Sequence, residues 1–480
     1  IRNLEPNRLW NNFADLNAVP RASKKEEQVI EFMKDFGKNL GLETFEDDVR
    51  NVIIRKPATP GMENRKGIVL QSHIDMVHQK NNETDFDFGT QGIEMYVEGD
   101  WVRANGTTLG ADNGLGVATI MAILESDTIA HPAIDALFTI DEETGMTGAI
   151  GLKGGILQGE ILLNLDTEED DEIGVGCAGG VDVTASKKYL PIPSASDANA
   201  YKITIKGLQG GHSGMEIQLG LGNANKMMNR ILSEVNDNCS LSSLLGGSLR
   251  NAIPRESNAL VVVAINNEVD FLAGFEKMKN EIKNEFHHLE SDITISAEKV
   301  AIPETVLSTE DQNQFFKAVY AAHNGVFRMS PAIEDLVETS NNIAKIKVNN
   351  GVISIECLTR SSVDSSKDNM VNTLTAVFEL AGFTVSLSGD YPGWAPNMDS
   401  AILKVLDALY EKMNGEKANV AACHAGLECG ILGTNYPEMD MISFGPTIKG
   451  AHSPDERACI SSTQKFWKFI IEILKEIPIK

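Results

Sequence analysis

The stretch GIVLQSHIDMVHQ, residues 67–79, constrains this chain more than any other. An apolar run, Ile68-Val69-Leu70, passes directly into His73 and Asp75, two polar side chains one residue apart. The pattern recurs: Glu142 and Glu143 follow DALFTID, and Asp166 follows EILLNL. A short continuous apolar run fits a strand buried on both faces, as in a parallel sheet. In open α/β sheets ligand sites lie beyond the carboxyl ends of such strands, so these side chains are expected on one rim. Asp112 joins them where the Gly-rich GTTLGADNGLG enters a helix, marked by Val117, Ile120, Met121 and Leu124 at helical spacing.

Helix and strand patterns alternate through this part of the chain. The spacing of Val29, Ile30, Phe32, Met33, Phe36 and Leu40 predicts a helix over 26–44, and NVIIRK and GIVLQSH read as strands. Such alternation predicts an α/β catalytic domain with a largely parallel sheet flanked by helices. From about residue 181 the pattern changes to strands (YKITIKG, NALVVVAIN, DITISAEK, GVISIECLTRS) separated by amphipathic helices, which predicts an α+β domain. YPGWAPN, 391–397, is a turn-rich exit from it. The expected organisation is therefore 1–180 and 394–480 as two segments of the catalytic domain, with 181–393 inserted between them. A chain of 480 residues is too long for one core in any case.

The residue types restrict the chemistry. A hydrolytic two-metal centre needs imidazole and carboxylate ligands, an oxygen donor shared by both ions and a base for the attacking water. His73, Asp112, Glu143 and Asp166 supply most of the ligands, and His452, in SFGPTIKGAHSPDE, is the best candidate for the missing imidazole. Asp75 lies on the same side of an extended chain as His73 and is placed to fix its tautomer. Adjacent Glu142 and Glu143 point differently, so one binds metal while Glu142 stays free as a base. Each residue also has a plainer reading: single polar residues at strand ends are commonly loop residues, and paired glutamates commonly form a solvated face. TEEDDE, 167–172, reads as such a face. His78, His131, His287, His288 and His323 have no context that suggests a role.

The formal net charge of −26 argues against nucleic acid or an anionic membrane as partner. No apolar run approaches the roughly 18–20 residues that span a bilayer. The N-terminus lacks the pattern of a signal peptide, although the chain begins at Ile1 without Met, which leaves a removed leader open. The six cysteines form no CxxC and read as reduced thiols of a cytoplasmic protein.

HIDMV, GTTLGADNG, DEETGM, NLDTEE, GGHSG, NAIPRE, HAGLECG and GPTIKGAHSPDE together resemble the bacterial aminoacyl-histidine dipeptidases, within the co-catalytic zinc peptidases that include carboxypeptidase G2 and aminoacylases. The likeness runs from NRLWNNFA to EILKEIPIK. It implies a zinc-peptidase-like catalytic domain with an inserted lid domain, two Zn²⁺ per chain, and hydrolysis of Xaa-His dipeptides, including the β-Ala-His type. It further implies metal ligation by His73, Asp112 (bridging), Glu143, Asp166 and His452, with Asp75 and Glu142 catalytic. In the lid, His212 would stabilise the tetrahedral intermediate, and Asn251 and Arg360 would anchor substrate. His424 of HAGLECG is a further candidate for lining the cleft. From the residues alone, His212 also fits a Gly-flanked surface histidine without a role, and Arg360 a structural ion pair. Co²⁺ and Mn²⁺ suit the same ligands, and a homodimer is a family expectation. The alternatives are an N-acyl amino acid deacylase or broad-specificity dipeptidase on the same centre, or a metal-holding binding protein.

Overall fold

The computed structural model describes residues 1–480. The chain forms two compact units: Ile1–Cys177 with Trp394–Ala422 and Leu427–Lys480, and Ala178–Gly393 with Cys423–Gly426.

The first unit is built on a mixed eight-stranded sheet. Its order is Glu43–Glu46, Val52–Lys56, Ile134–Thr139, Ile68–His73, Ile161–Asn164, Asp440–Ser443, Glu172–Cys177 and Asn419–Cys423. Ile68–His73 runs parallel to both Ile134–Thr139 and Ile161–Asn164, and Asp440–Ser443 runs parallel to Ile161–Asn164. These central strands are almost wholly buried, which explains their continuous apolar runs. The strands next to them pair antiparallel. The helix expected over 26–44 occupies Glu27–Asn39 only, because Gly41 turns left-handed at φ 70° and Glu43 starts a strand.

Helix Ala111–Glu125 is buried on nearly every side, against the sheet and against Asn7–Asn17. Gly116 permits the close approach: a Cβ there would lie 2.5 Å from Ser72 Oγ and 2.6 Å from the Leu165 carbonyl oxygen. A second, four-stranded sheet pairs Ile448–Lys449, Arg457–Cys459, Trp101–Ala104 and Met95–Glu98 in that order. The first two form a hairpin whose loop carries His452 and Glu456.

The second unit is an antiparallel sheet. Its main path runs Thr294–Val300, Ala198–Lys206, Ser257–Ala264, Ser240–Gly246, Val337–Asn349, Val352–Ser361, Gly179–Lys188 and Thr384–Tyr391, with Gly325–Met329 added beside Val337–Asn349. Helices Ala224–Glu234, Glu268–Phe286, Thr309–Ala321 and Asp364–Leu380 bury Met228, Ile231, Phe271, Phe315 and Leu374 in one apolar core with Ile203, Val261 and Ile346 of the strands. Asn223 and Ser308 cap two of these helices with their side chains. No helix is long and apolar enough to cross a membrane. None of the six cysteines is joined in a disulfide.

Gly116→Ala is expected to lower stability by about 1–3 kcal/mol through overpacking. Denaturant unfolding followed by circular dichroism should show a lower midpoint at an unchanged slope, and an unchanged midpoint would contradict the close-approach argument.

Candidate metal centre

Five stretches of the first unit bring their polar side chains to one place. His73 ends its strand, while Glu142 and Glu143 begin the short helix Glu142–Gly145 after Asp141, which turns left-handed at φ 53°. Asp112 lies in non-helical backbone at the start of Ala111–Glu125. Asp166 lies two residues beyond Ile161–Asn164. His452 arrives from the hairpin loop, also with positive φ, 64°.

Two triads of ligand-type side chains result. His73, Asp112 and Asp166 form one, and Asp112, Glu143 and His452 form the other. Asp112 belongs to both: His73 Nε2 is 3.1 Å from its Oδ1 and His452 Nε2 is 3.2 Å from its Oδ2. His73 Nε2 is also 3.6 Å from Asp166 Oδ1, and His452 Nε2 is 3.0 Å from Glu143 Oε2. Glu142 belongs to neither triad, yet its Oε2 stands 4.0 Å from His73 Nε2. Asp75 lies under the group, with Oδ1 3.3 Å from His73 Nδ1. Asp75 also accepts from Ser23 Oγ and from the backbone N–H of Glu142. One buried carboxylate thus orients an imidazole and holds the backbone of the glutamate beside it.

The electrostatics reflect this crowding. Burial, followed by neighbouring carboxylates, raises Glu142 and Asp166 well above the usual range, with His73 acting against the shift. Hydrogen bonds to Asp112 and Glu143 lift His452 to about 11. Asp112 is lowered: burial opposes this, and the two imidazoles outweigh it. Glu143 Oε1 is buried with no hydrogen-bond partner. Carboxylates this concentrated, with an acceptor atom left unpaired, are suited to cations.

Several residues at the centre were not picked out from the sequence. TEEDDE is mostly half-buried rather than a solvated face, because the chain beyond Asp166 is held against Ile448 and Thr447. Within it, burial and then Asp112 push Glu168 up to about 8. Glu428, fully buried, accepts from Gln71 Nε2 and Thr139 Oγ1, both at 2.6 Å. Gln71 in turn accepts from Asn164, and Asn164 from Ser443, so hydrogen bonds cross neighbouring strands below the two triads. Glu428 lies within HAGLECG, where nothing in the local sequence distinguishes a buried carboxylate from an exposed one.

His212, Asn251, Arg360 and His424 all belong to the second unit. His212 lies in the two-residue strand Gly211–His212, paired with Ala252–Ile253. Its Nδ1 accepts from the N–H groups of Gly214 and Met215, which leaves the proton of the neutral ring on Nε2. Burial and then Arg360 lower its pKa. Asn251 is exposed, and its carbonyl accepts from the Ser213 N–H. Arg360 is buried, donates to the Tyr391 hydroxyl at 3.0 Å, and makes no ion pair with a carboxylate. His424 is buried with Nε2 2.8 Å from Ser340 Oγ.

The sequence signature of peptidase family M20/M25/M40 matches residues 69–476. The chain belongs to this family. It is accordingly a hydrolase of peptide bonds. It is 43% identical over 483 residues, with 100% of this chain and 99% of the other covered, to the cytosol non-specific dipeptidase of Escherichia coli (strain K12). The crystal structure of aminoacylhistidine dipeptidase from Vibrio alginolyticus matches with a TM-score of 0.94 at 44% identity, covering 100% of this chain and 98% of that one. Aminopeptidase PepT from Bacillus cereus, at 16% identity, TM-score 0.58 and 99% coverage of both chains, shares the fold. The α/β architecture read from the sequence is thus that of the M20 family.

Burial, then Arg360, depress His424 from 6.5 to about 3. A base whose folded pKa is depressed contributes stability above its unfolded pKa and loses it as pH falls from 6.5 towards 3. By pH 5 the loss from this residue should be about 2 kcal/mol. Comparing unfolding midpoints at pH 7 and pH 5, His424→Asn should lose less stability than the wild type; equal losses would contradict the assignment.

Proposed function

We propose that this protein is a metal-dependent dipeptidase that hydrolyses Xaa-His dipeptides, β-Ala-His included, using two divalent cations, Zn²⁺ first and Co²⁺ or Mn²⁺ as substitutes. The observation that carries this reading is that Asp112 is shared by two ligand triads while Glu142 stands beside them and outside both. His73, Asp112 and Asp166 would hold one cation, and Asp112, Glu143 and His452 the other. A donor set of imidazoles and carboxylates without thiolate fits these metals, and the unpaired Oε1 of Glu143 offers an acceptor that no protein donor uses. When bound, such cations polarise the scissile carbonyl and lower the pKa of the attacking water.

The remaining steps belong to the protein's own residues. Glu142 takes a proton from the water as its oxygen bonds to the carbonyl carbon, then delivers that proton to the amine as the C–N bond breaks. Asp75 holds the His73 ring and the Glu142 backbone in register for this transfer. His212, with its proton on Nε2, donates to the carbonyl oxygen as charge builds there. Arg360, a buried guanidinium without an acidic partner, suits the free carboxylate of a dipeptide. Asn251 and His424 complete the substrate contacts. Similarity to the aminoacylhistidine dipeptidase supports the histidine preference, and the word cytosol in the name of the Escherichia coli relative supports a cytoplasmic location.

That relative's designation as non-specific favours a second reading, in which the same centre accepts dipeptides broadly. Chelator-stripped protein, resupplied with Zn²⁺ or Co²⁺ and assayed on β-Ala-His, Gly-His, Ala-His and Ala-Ala, separates the two. Metal-restored cleavage favouring the histidine dipeptides is expected; equal rates would leave a broad dipeptidase, and no cleavage would discard both. Glu142→Gln should bind metal as the wild type does while turnover falls about 10²–10⁴-fold, and a variant that kept turnover would remove Glu142 from the proton transfer.

A further inference from the structure

Glu456, four residues beyond His452, takes no part in either triad, yet its carboxylate is buried, at 2% exposure, and fully engaged. Its Oε2 accepts from the N–H groups of Leu109 and Gly110 at 2.7 and 2.9 Å. Its Oε1 accepts from those of Ala111 and Asp112 at 2.7 and 3.3 Å. Four consecutive amides thus converge on one side chain, and the last of them is the amide of the residue shared by both triads. The cradle requires left-handed backbone at Gly110, φ 70°, where a Cβ would lie 2.5 Å from Arg21 Nη2.

Arg21 grips the same turn through its carbonyls. Nη2 donates to the Gly110 oxygen and to Asn17 Oδ1, and Nη1 donates to the carbonyls of Ile74 and Asp75 at 3.2 and 3.0 Å. Its side chain is 1% exposed. Three segments from distant parts of the sequence are therefore tied through backbone groups: the end of the His73 strand, the Asp112 turn and the His452 hairpin. The hairpin end is stiffened in turn by the Glu456 N–H donating to the Ser453 carbonyl.

We infer that Glu456 is a positioning residue that sets the distance between Asp112 and His452, and with it the affinity of the Asp112–Glu143–His452 triad for its cation. The inference rests on the two-cation reading above. A carboxylate suits the place because both its oxygens accept. In Glu456→Gln one terminal atom becomes an NH₂, which faces two N–H donors and leaves them without an acceptor. Glu456→Asp retains both acceptor oxygens but draws them back by one methylene. The side chain has its effect through Asp112, so its loss should appear in metal binding before it appears in the fold.

The test is chelator-competition titration of Zn²⁺ into metal-free wild type, E456Q and E456D, alongside thermal melting of each without metal. The expected result is two ions per wild-type chain, with one of the two bound about 10–100-fold more weakly in E456Q, a smaller loss in E456D, and metal-free melting close to wild type in at least one variant. If the wild type takes up no ion, the two-cation reading itself fails. If it takes up two and a folded variant binds both with unchanged affinity, or if neither variant folds, the inference fails; in the latter case Glu456 serves the fold rather than the centre.

Discussion

Asp112 lies between two imidazoles, His73 on one oxygen and His452 on the other, with Asp166, Glu143 and Glu142 gathered close by. Buried like charges at such separations are unfavourable unless cations or protons offset them. In the metal-free chain part of that compensation comes from protons, which is the physical meaning of raised Glu142, Asp166 and His452 pKa values. In the proposed enzyme two cations replace those protons, and Glu142, outside both triads, retains the freedom to exchange one.

Much of the first unit acts to hold this arrangement still. Parallel strands deliver His73, the Glu142–Glu143 turn and Asp166 to one rim, and below that rim lies a row of buried polar side chains. Gln71 and Asn164 each sit two residues before a member of the first triad, and their amides bond to each other and onward to Glu428 and Ser443. Such a network specifies strand register in a way that an apolar layer would not, since a slip would leave buried amides unpaired. Glu456 and Arg21 do the same for the turns by gripping backbone, and Asp75 holds both the His73 ring and the Glu142 backbone.

The architecture and the outline of the centre were legible in the sequence because both leave local marks. Buried parallel strands write continuous apolar runs, and a polar side chain at a strand end interrupts the run at a fixed place, as at His73 and Asp166. The helix at 27–39 was readable from its apolar spacing, but its end was not, because Leu40 and Leu42 flank the glycine that stops it. The supporting carboxylates were not legible. Glu428 and Glu456 lie in stretches that drew attention for other residues, and Arg21 lies in a stretch with no pattern at all. What distinguishes them is burial against backbone amides or side chains tens to hundreds of positions away, and single-sequence periodicity carries no record of that. The same holds for TEEDDE, whose charge suggests solvent while its neighbours in space leave most of it half-buried.

Two cations sharing the Asp112 carboxylate, as proposed, would lie close together. Zinc-edge X-ray absorption on the fully loaded protein reads that separation without reference to turnover. A zinc–zinc vector of about 3.5–4 Å that disappears in Asp112→Ala is expected. Two zinc ions bound with no such vector, or a vector that persists without Asp112, would contradict that sharing.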